Sequence, residues 1–416
     1  MGKTTSREPA RPDHVPPRVL AWLRAALVIV ALVHVALLAH AFVQGSWILD
    51  SRGRVIPADF VSFWSTSLQL HREPAANVYD WALHRAAEIE TVGPEHKGRF
   101  PWLNPPTFLF AVAPLALLPY PAAYLSWVAA TFAFHAAALR SILPSPWTVL
   151  GACAFPAAFW TAGIGQNGFL TGALVASTLG LMERRPYLAG IALGLLTYKP
   201  QFGILFPIVL IADGRWRVVA AATATALLLA LGTVLVFGPD TWLGFFQAMS
   251  LAQTAVLAEG QMGSFKLQSP YGAVLWLGGS ATAAWTVQIL ATLTVAAALA
   301  RLWRSRASFE VKGAFLSLAI LVATPYAFIY DFPVLAVPIA FLARAALTRT
   351  FMASELVLVL SACAAILLFP FLKAPAGLLA VCLVAVAAAH RAMVERSVVM
   401  SPSAPAASAA DHATAS

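Results

Sequence analysis

Ala25-Ala26-Leu27-Val28-Ile29-Val30-Ala31-Leu32-Val33-His34-Val35-Ala36-Leu37-Leu38-Ala39 carries no formal charge, and the apolar run around it covers residues 19–43 with Arg24 as its one ionised side chain. A helix over this run, rising about 1.5 Å per residue, is long enough to cross a hydrocarbon core about 30 Å thick. The competing reading is a secretory leader ending at Ala39-His40-Ala41 behind Arg18 and Arg24. Such a leader has an apolar core of only about 7–15 residues. The run is longer, so it is read as the first membrane span.

Composition extends that reading to the whole chain. Of 416 residues, 60% are hydrophobic and 11% charged, whereas soluble domains carry about 25% charged residues. So little polar surface cannot coat soluble globules of this size, and the apolar excess must face lipid. Further apolar runs bounded by charge fall within 106–139, 146–161, 168–182, 187–212, 216–237, 282–302, 313–328, 332–347, 353–371 and 375–392. At about 20 residues per span they predict an all-α, polytopic transmembrane bundle of roughly 10–12 helices. Pro114, Pro119 and Pro121 interrupt one run, and Lys199-Pro200 with Pro207 another, so each is a kinked helix or two short ones. If the basic residues on both flanks of the second run share one side, Lys199 sits at a re-entrant apex inside the protein.

The chain divides into a disordered tail at 1–18, one membrane-embedded unit at 19–396, and a second disordered tail at 397–416 rich in Ser, Ala and Pro. The longest polar segment outside the tails, about 45–105, holds Asp50, Asp59, Glu73, Asp80, Glu88, Glu90 and Glu95. It is expected to be an outer loop built from helices lying on the bilayer.

The net charge is +9, from 27 Lys+Arg against 18 Asp+Glu. Arg140, Arg184, Arg185, Arg215, Arg217, Arg301, Arg304, Arg306, Arg344, Arg349, Arg391 and Arg396 lie between apolar runs, the pattern of cytoplasmic loops. This predicts a multi-pass protein of the cell (plasma or inner) membrane with both termini cytoplasmic. The 45–105 loop, Gly165-Gln166-Asn167-Gly168, Lys199-Pro200-Gln201, 239–268 and 324–331 then share the extracytoplasmic side. With no basic face interleaved with aromatics, nucleic acid is excluded as a partner. Cys153, Cys363 and Cys382 stand singly in apolar runs, and His34, His40, His135 and His390 are isolated. No Walker A loop, GxGxxG, His/Cys cluster or DxD pair is present, so no cofactor and no metal are predicted.

An ionisable group at the edge of an apolar segment is a functional hypothesis by default. Asp59 opens Asp59-Phe60-Val61-Ser62-Phe63-Trp64, where Phe60, Phe63, Trp64 and Leu68 share a helical face suited to an interfacial helix. The carboxylate is either that helix's N-cap or a base held ready to accept a proton. Lys199 is either a phosphate-binding ammonium or a lysine snorkelling to the interface, and Lys266 is a second, more exposed cation. Gln166 and Asn167 either bind a hydroxyl-rich substrate or cap helices. Asp331 is a cap, a salt-bridge partner for Lys199 or a catalytic acid. Glu355 reads as a solvated carboxylate at a helix start.

These residues fall in stretches that resemble the polytopic glycosyltransferases of family 87, which include polyprenyl-phosphomannose-dependent mannosyltransferases. The similarity runs through Ala58-Asp59-Phe60 with Phe63-Trp64, Asn77-Val78-Tyr79-Asp80, Asn104-Pro105-Pro106 and Pro114-Leu115-Ala116-Leu117-Leu118-Pro119-Tyr120. It continues in Phe155-Pro156-Ala157, Gly165-Gln166-Asn167, Arg184-Arg185-Pro186-Tyr187-Leu188-Ala189-Gly190, Lys199-Pro200-Gln201 and Tyr330-Asp331. The resemblance implies a GT-C-like bundle whose first outer loop supplies the general base, here Asp59. It implies a hexosyltransferase, with mannose as the family's best-known sugar, moving the sugar from a polyprenyl-phosphate donor to a hydroxyl of a glycan or glycolipid acceptor in the bilayer, with inversion. Gln166, Asn167, Lys199, Gln201, Lys266 and Asp331 would then line the substrate site. Tyr326 stands where some relatives carry a histidine. The rival class is a transporter or flippase of lipid-linked or small polar substrates, for which the long outer loop and the lack of an internal repeat are unfavourable.

Overall fold

The computed structural model describes residues 15–258 and 263–400, so the two expected tails lie almost wholly outside the described residues. Helices dominate, and among the described residues the strands amount to a two-residue hairpin, Ser46–Trp47 against Leu49–Asp50. The all-α polytopic bundle read from the sequence is the fold observed.

Among the described residues, six helices are long and apolar enough to span a membrane: Pro17–Val43, Tyr120–Ile142, Trp216–Phe237, Ala281–Trp303, Ile329–Thr348 and Ala376–Ser397. Trp147–Ala154 and Pro156–Ile164 meet at 64° and make a seventh if they act as one span. Pro156 lacks the N–H a continuous helix would need there, which breaks the pair. The other apolar runs form shorter helices of 10–17 residues: Pro106–Leu117, Gly168–Leu181, Pro186–Tyr198, Pro200–Ala212 and Ala353–Leu367. Against the roughly 10–12 spans expected, six described helices, or seven with the bent pair, are long and apolar enough to cross, and the other apolar runs are too short to do so as single straight helices. Proline at the first position starts three of the short ones, where its missing N–H costs nothing.

Burial sorts the helices by solvent. Trp216–Phe237 exposes Leu227, Leu228, Leu231 and Leu235, a surface suited to lipid tails. Gly168–Leu181 and Phe309–Ala323 are almost wholly buried and form the centre of the bundle.

The outer segment departs from expectation. Phe60–Leu70 is not an interfacial helix but a buried one, with Phe60, Val61, Phe63 and Leu68 all inside the protein. Phe63 packs edge-on to Trp102, Phe108 and Trp127 with ring centroids 5.4–6.0 Å apart. Ser65 and Ser67 of this helix are satisfied by protein rather than water, while Thr66 Oγ1 and Gln69 Nε2 are buried without a partner among the described residues. The Ser67 hydroxyl donates to the Ala113 carbonyl at 2.7 Å and accepts from the Ala116 N–H at 2.8 Å, and Ser65 meets the Thr91 hydroxyl at 3.0 Å. Residues 75–117 cover what would have been the solvated face.

Glu355 is also corrected. It is buried rather than solvated, and accepts from Arg391 Nε at 2.7 Å, while Arg391 also donates to the Thr350 carbonyl at 3.0 Å. A carboxylate at that depth needs a counter-ion, and the Ala376–Ser397 helix supplies it.

Candidate functional site

Asp59 precedes Phe60–Leu70, yet its carboxylate takes no hydrogen bond from that helix's backbone. The helix that an aspartate does cap is Trp81–Val92, where Asp80 Oδ1 accepts from the Ala82 and Leu83 N–H groups at 2.8 and 3.0 Å. Asp59 Oδ2 instead accepts from Gln166 Nε2 at 3.4 Å. Burial raises its pKa above the ordinary carboxylate range, opposed by the Gln166 bond and the positive charge of Lys266.

Two glycines make this approach possible. Gly165 turns the chain in the left-handed region at φ +71°, and a Cβ there would sit 2.7 Å from Phe60 Cβ and 2.9 Å from the Tyr124 ring. A Cβ on Gly168 would lie 1.6 Å from the Tyr330 carbonyl oxygen. The Gly165-Gln166-Asn167-Gly168 turn therefore presses one end against the Asp59 helix and the other against the Tyr330-Asp331 turn.

Gln166 and Asn167 bridge the two sides. Gln166 Oε1 accepts from the Asn167 N–H at 2.9 Å, and Asn167 Oδ1 accepts from Lys199 Nζ at 2.8 Å. Lys199 Nζ also pairs with Asp331 Oδ1, while Asp331 Oδ2 accepts from the Phe328 N–H at 3.0 Å. Asp331 is thus both turn-capping acid and salt-bridge partner. Lys199 lies over the rings of Tyr330 and Phe202 at 5.2 and 5.3 Å, a buried position enclosed by the Pro186–Tyr198 and Pro200–Ala212 pair. It does not snorkel.

The remaining sequence candidates spread out. Lys266 is exposed, takes no partner among the described residues, and is close enough for its charge to act on Asp59. Its loop is held by the Gln268 N–H on the Ala327 carbonyl at 2.7 Å and by Gln268 Oε1 accepting from the Gly377 N–H at 2.7 Å. Gln201 joins the network's surroundings through its carbonyl, which accepts from the Thr324 hydroxyl at 3.5 Å. Tyr326 packs instead with Tyr271 and Trp285, at 6.0 and 6.1 Å between centroids. Among the described residues, no three His, Cys, Asp or Glu side chains cluster as a metal site.

Sequence reasoning missed an aromatic enclosure. Phe60 packs against Tyr120 and Tyr124 at 5.4 and 4.9 Å, and Tyr120, Tyr124 and Tyr330 all lie within reach of the Asp59 charge. The Tyr124 hydroxyl is used, donating to the Ala162 carbonyl at 2.9 Å and accepting from Trp47 Nε1 at 3.2 Å. The Tyr120 hydroxyl is buried without a partner among the described residues. Tyr120 is visible in the sequence only as an aromatic at a helix start, where an interfacial belt is the ordinary reading.

A half-buried carboxylate free of its own helix, an uncommitted lysine and a glycine-tightened polar turn, all set into an apolar helical bundle, define a multi-pass membrane protein with an enzyme-like polar site. The model of glycosyltransferase family 87 matches residues 102–326, more than half of the chain, and the protein belongs to that family. It is a membrane glycosyltransferase. The match includes Gln166, Asn167, Lys199, Gln201, Lys266 and Tyr326, and leaves Asp59 and Asp331 outside. No curated protein and no solved structure matches the chain.

Proposed function

We propose that the protein transfers a hexose, with mannose the leading candidate, from a polyprenyl-phosphate sugar to a hydroxyl of a glycan or glycolipid acceptor on the extracytoplasmic side of the cell membrane. Asp59 is the general base. It takes the proton of the acceptor hydroxyl as that oxygen attacks the anomeric carbon. The bond from that carbon to the phosphate oxygen breaks, its electron pair leaves with polyprenyl phosphate, and the configuration inverts. A DxD-free outer loop favours chemistry that calls for no metal.

The observation that carries this reading is the uncapped Asp59 carboxylate, bonded to Gln166 and facing the charge of Lys266. Lys266 is the cation at liberty to meet the leaving phosphate, because the Lys199 charge is already matched by Asp331. Lys199, Asn167 and Asp331 then hold the Gly165-Gln166-Asn167-Gly168 turn in register with Asp59, and the unpartnered Tyr120 hydroxyl is available to the acceptor.

The test is transfer from a radiolabelled polyprenyl-phosphate sugar to membrane-extract acceptors by protein reconstituted in lipid. Asp59→Asn keeps the side chain's size and removes the base, so transfer should fall by roughly 10²–10⁴ with the fold intact. Undiminished transfer by a folded Asp59→Asn protein would remove Asp59 from the chemistry. Carrier-dependent flux without a new glycosidic bond would move the protein to the transporter class.

A further inference from the structure

We propose that the end of the bundle centred on Asp213 is a binding surface for the phosphate headgroups of anionic bilayer lipids. Asp213 Oδ2 accepts from Arg215 Nε at 2.7 Å, Lys312 Nζ lies 4.0 Å from Oδ1, and Arg215 reaches Glu183 at 3.8 Å. Lys312 also donates to the Trp303 carbonyl at 2.9 Å. This hub joins the turn after Gly168–Leu181, the start of Trp216–Phe237, the end of Ala281–Trp303 and the start of Phe309–Ala323.

Two carboxylates in the hub offset two cations, and among the described residues no acidic side chain pairs with the arginines around them. Arg184, Arg185, Arg217, Arg301, Arg304 and Arg306 each lie within three residues of Glu183, Arg215 or Trp303. All six are exposed, and their side chains take no partner among the described residues. Exposed, unpaired cations gathered at one end of the bundle attract anions, and guanidinium groups match phosphate oxygens in bidentate geometry.

The setting selects a lipid as that anion. Trp216–Phe237 and Ala281–Trp303 leave most of their apolar length unburied by the protein, so arginines at their ends are held at headgroup depth. Tyr187 and Trp216, 60% and 62% exposed beside the arginines, suit the same interface. The surface is also distinct from the proposed active site. Gly168, against the Tyr330-Asp331 turn, and Glu183, in the hub, lie beyond opposite ends of the buried helix Gly168–Leu181, which is about 21 Å long.

The test is native mass spectrometry of delipidated full-length protein titrated with phosphatidylglycerol, phosphatidylcholine or soluble glycerol phosphate. Phosphatidylglycerol should bind at least about tenfold better than phosphatidylcholine, since each arginine near the surface adds to the attraction. The preference should vanish in a variant joining Arg184→Gln, Arg185→Gln and Arg217→Gln to Arg301→Gln, Arg304→Gln and Arg306→Gln. It should persist in Arg52→Gln/Arg99→Gln, which removes exposed cations of the outer segment. If the sixfold variant aggregates, either threefold set should by itself weaken phosphatidylglycerol binding by about threefold or more. Equal binding of the two lipids, equal loss in the control, or glycerol phosphate binding as tightly as phosphatidylglycerol would overturn the proposal.

Discussion

Asp59 is a carboxylate whose neighbourhood works against its charge. Burial raises its pKa, while the Gln166 bond and the Lys266 charge pull it back down. A base is active when deprotonated, so transfer should rise with pH through an inflection above the usual carboxylate value of about 4. Gln166→Leu and Lys266→Met each remove a lowering influence and should move that inflection further up, as read from kcat/KM profiles. An inflection that stays put in both variants would place the titrating group elsewhere. The two lysines separate by a second comparison. Lys266→Met should lower kcat on the order of 10²-fold with the protein still folded. Lys199→Met alone strands a buried aspartate and should cost about 3–5 kcal/mol of stability, whereas Lys199→Met/Asp331→Asn should restore the fold and keep transfer within about tenfold of wild type. A folded double variant as inactive as Lys266→Met would put Lys199 on the phosphate. At this scale the sequence pointed to the ionisable residues because charges in apolar runs stand out. It offered Asp331 as one possible partner for Lys199 but could not choose that reading over a cap or a catalytic acid: the two are 132 positions apart, and their pairing exists only after folding.

Elements decide how those residues meet, and here glycine matters more than charge. Gly168→Ala would force its Cβ to within 1.6 Å of the Tyr330 carbonyl oxygen, a backbone atom that cannot rotate aside. The variant should lose roughly 1–3 kcal/mol of stability and much of its transfer as the turn lifts from Asp331. Gly203→Ala is the contrast, since its Cβ would meet nothing closer than the Pro200 carbonyl oxygen at 3.4 Å and should be tolerated. Comparable midpoints of thermal unfolding for the two would contradict the close-approach argument. The helix breaks around Pro114–Pro119 and at Lys199-Pro200 were legible from their prolines, whereas the break at Pro156, inside a run read as one span, was not, and Pro333 and Pro338 lie within Ile329–Thr348 without ending it. The burial of Phe60–Leu70 was not legible either. An aromatic stripe opposite serines looks the same whether the stripe meets headgroups or protein, and the Trp102, Phe108 and Trp127 rings that enclose Phe63 come from segments distant in sequence.

On the scale of the whole molecule, polarity is segregated along the bundle. Gly168–Leu181 starts at the Asn167 network and ends at the Glu183 hub, and Ile329–Thr348 starts beside Tyr330-Asp331 and ends near Arg344 and Arg349, which pair with Glu310 at 3.6 and 3.0 Å. Two helices thus carry the chemical groups at one end and the arginine-rich ion pairs at the other. Arginine-rich ends favour the cytoplasmic side during insertion, and the orientation proposed on that ground would send Asp59 and Lys266 outward, where the proposed donor is lipid-carried rather than a nucleotide sugar. Replacing Cys153, Cys363 and Cys382 by serine and introducing Lys266→Cys or Arg304→Cys gives a direct reading of side. A membrane-impermeant maleimide applied to intact cells should label the Lys266→Cys protein and spare the Arg304→Cys protein until the membrane is opened. The reverse pattern would turn the protein over, bring the base to the cytoplasmic face and remove the reason for a lipid-carried donor. Labelling of both from outside would mean that Ala281–Trp303, the long helix between them, does not carry the chain across the bilayer.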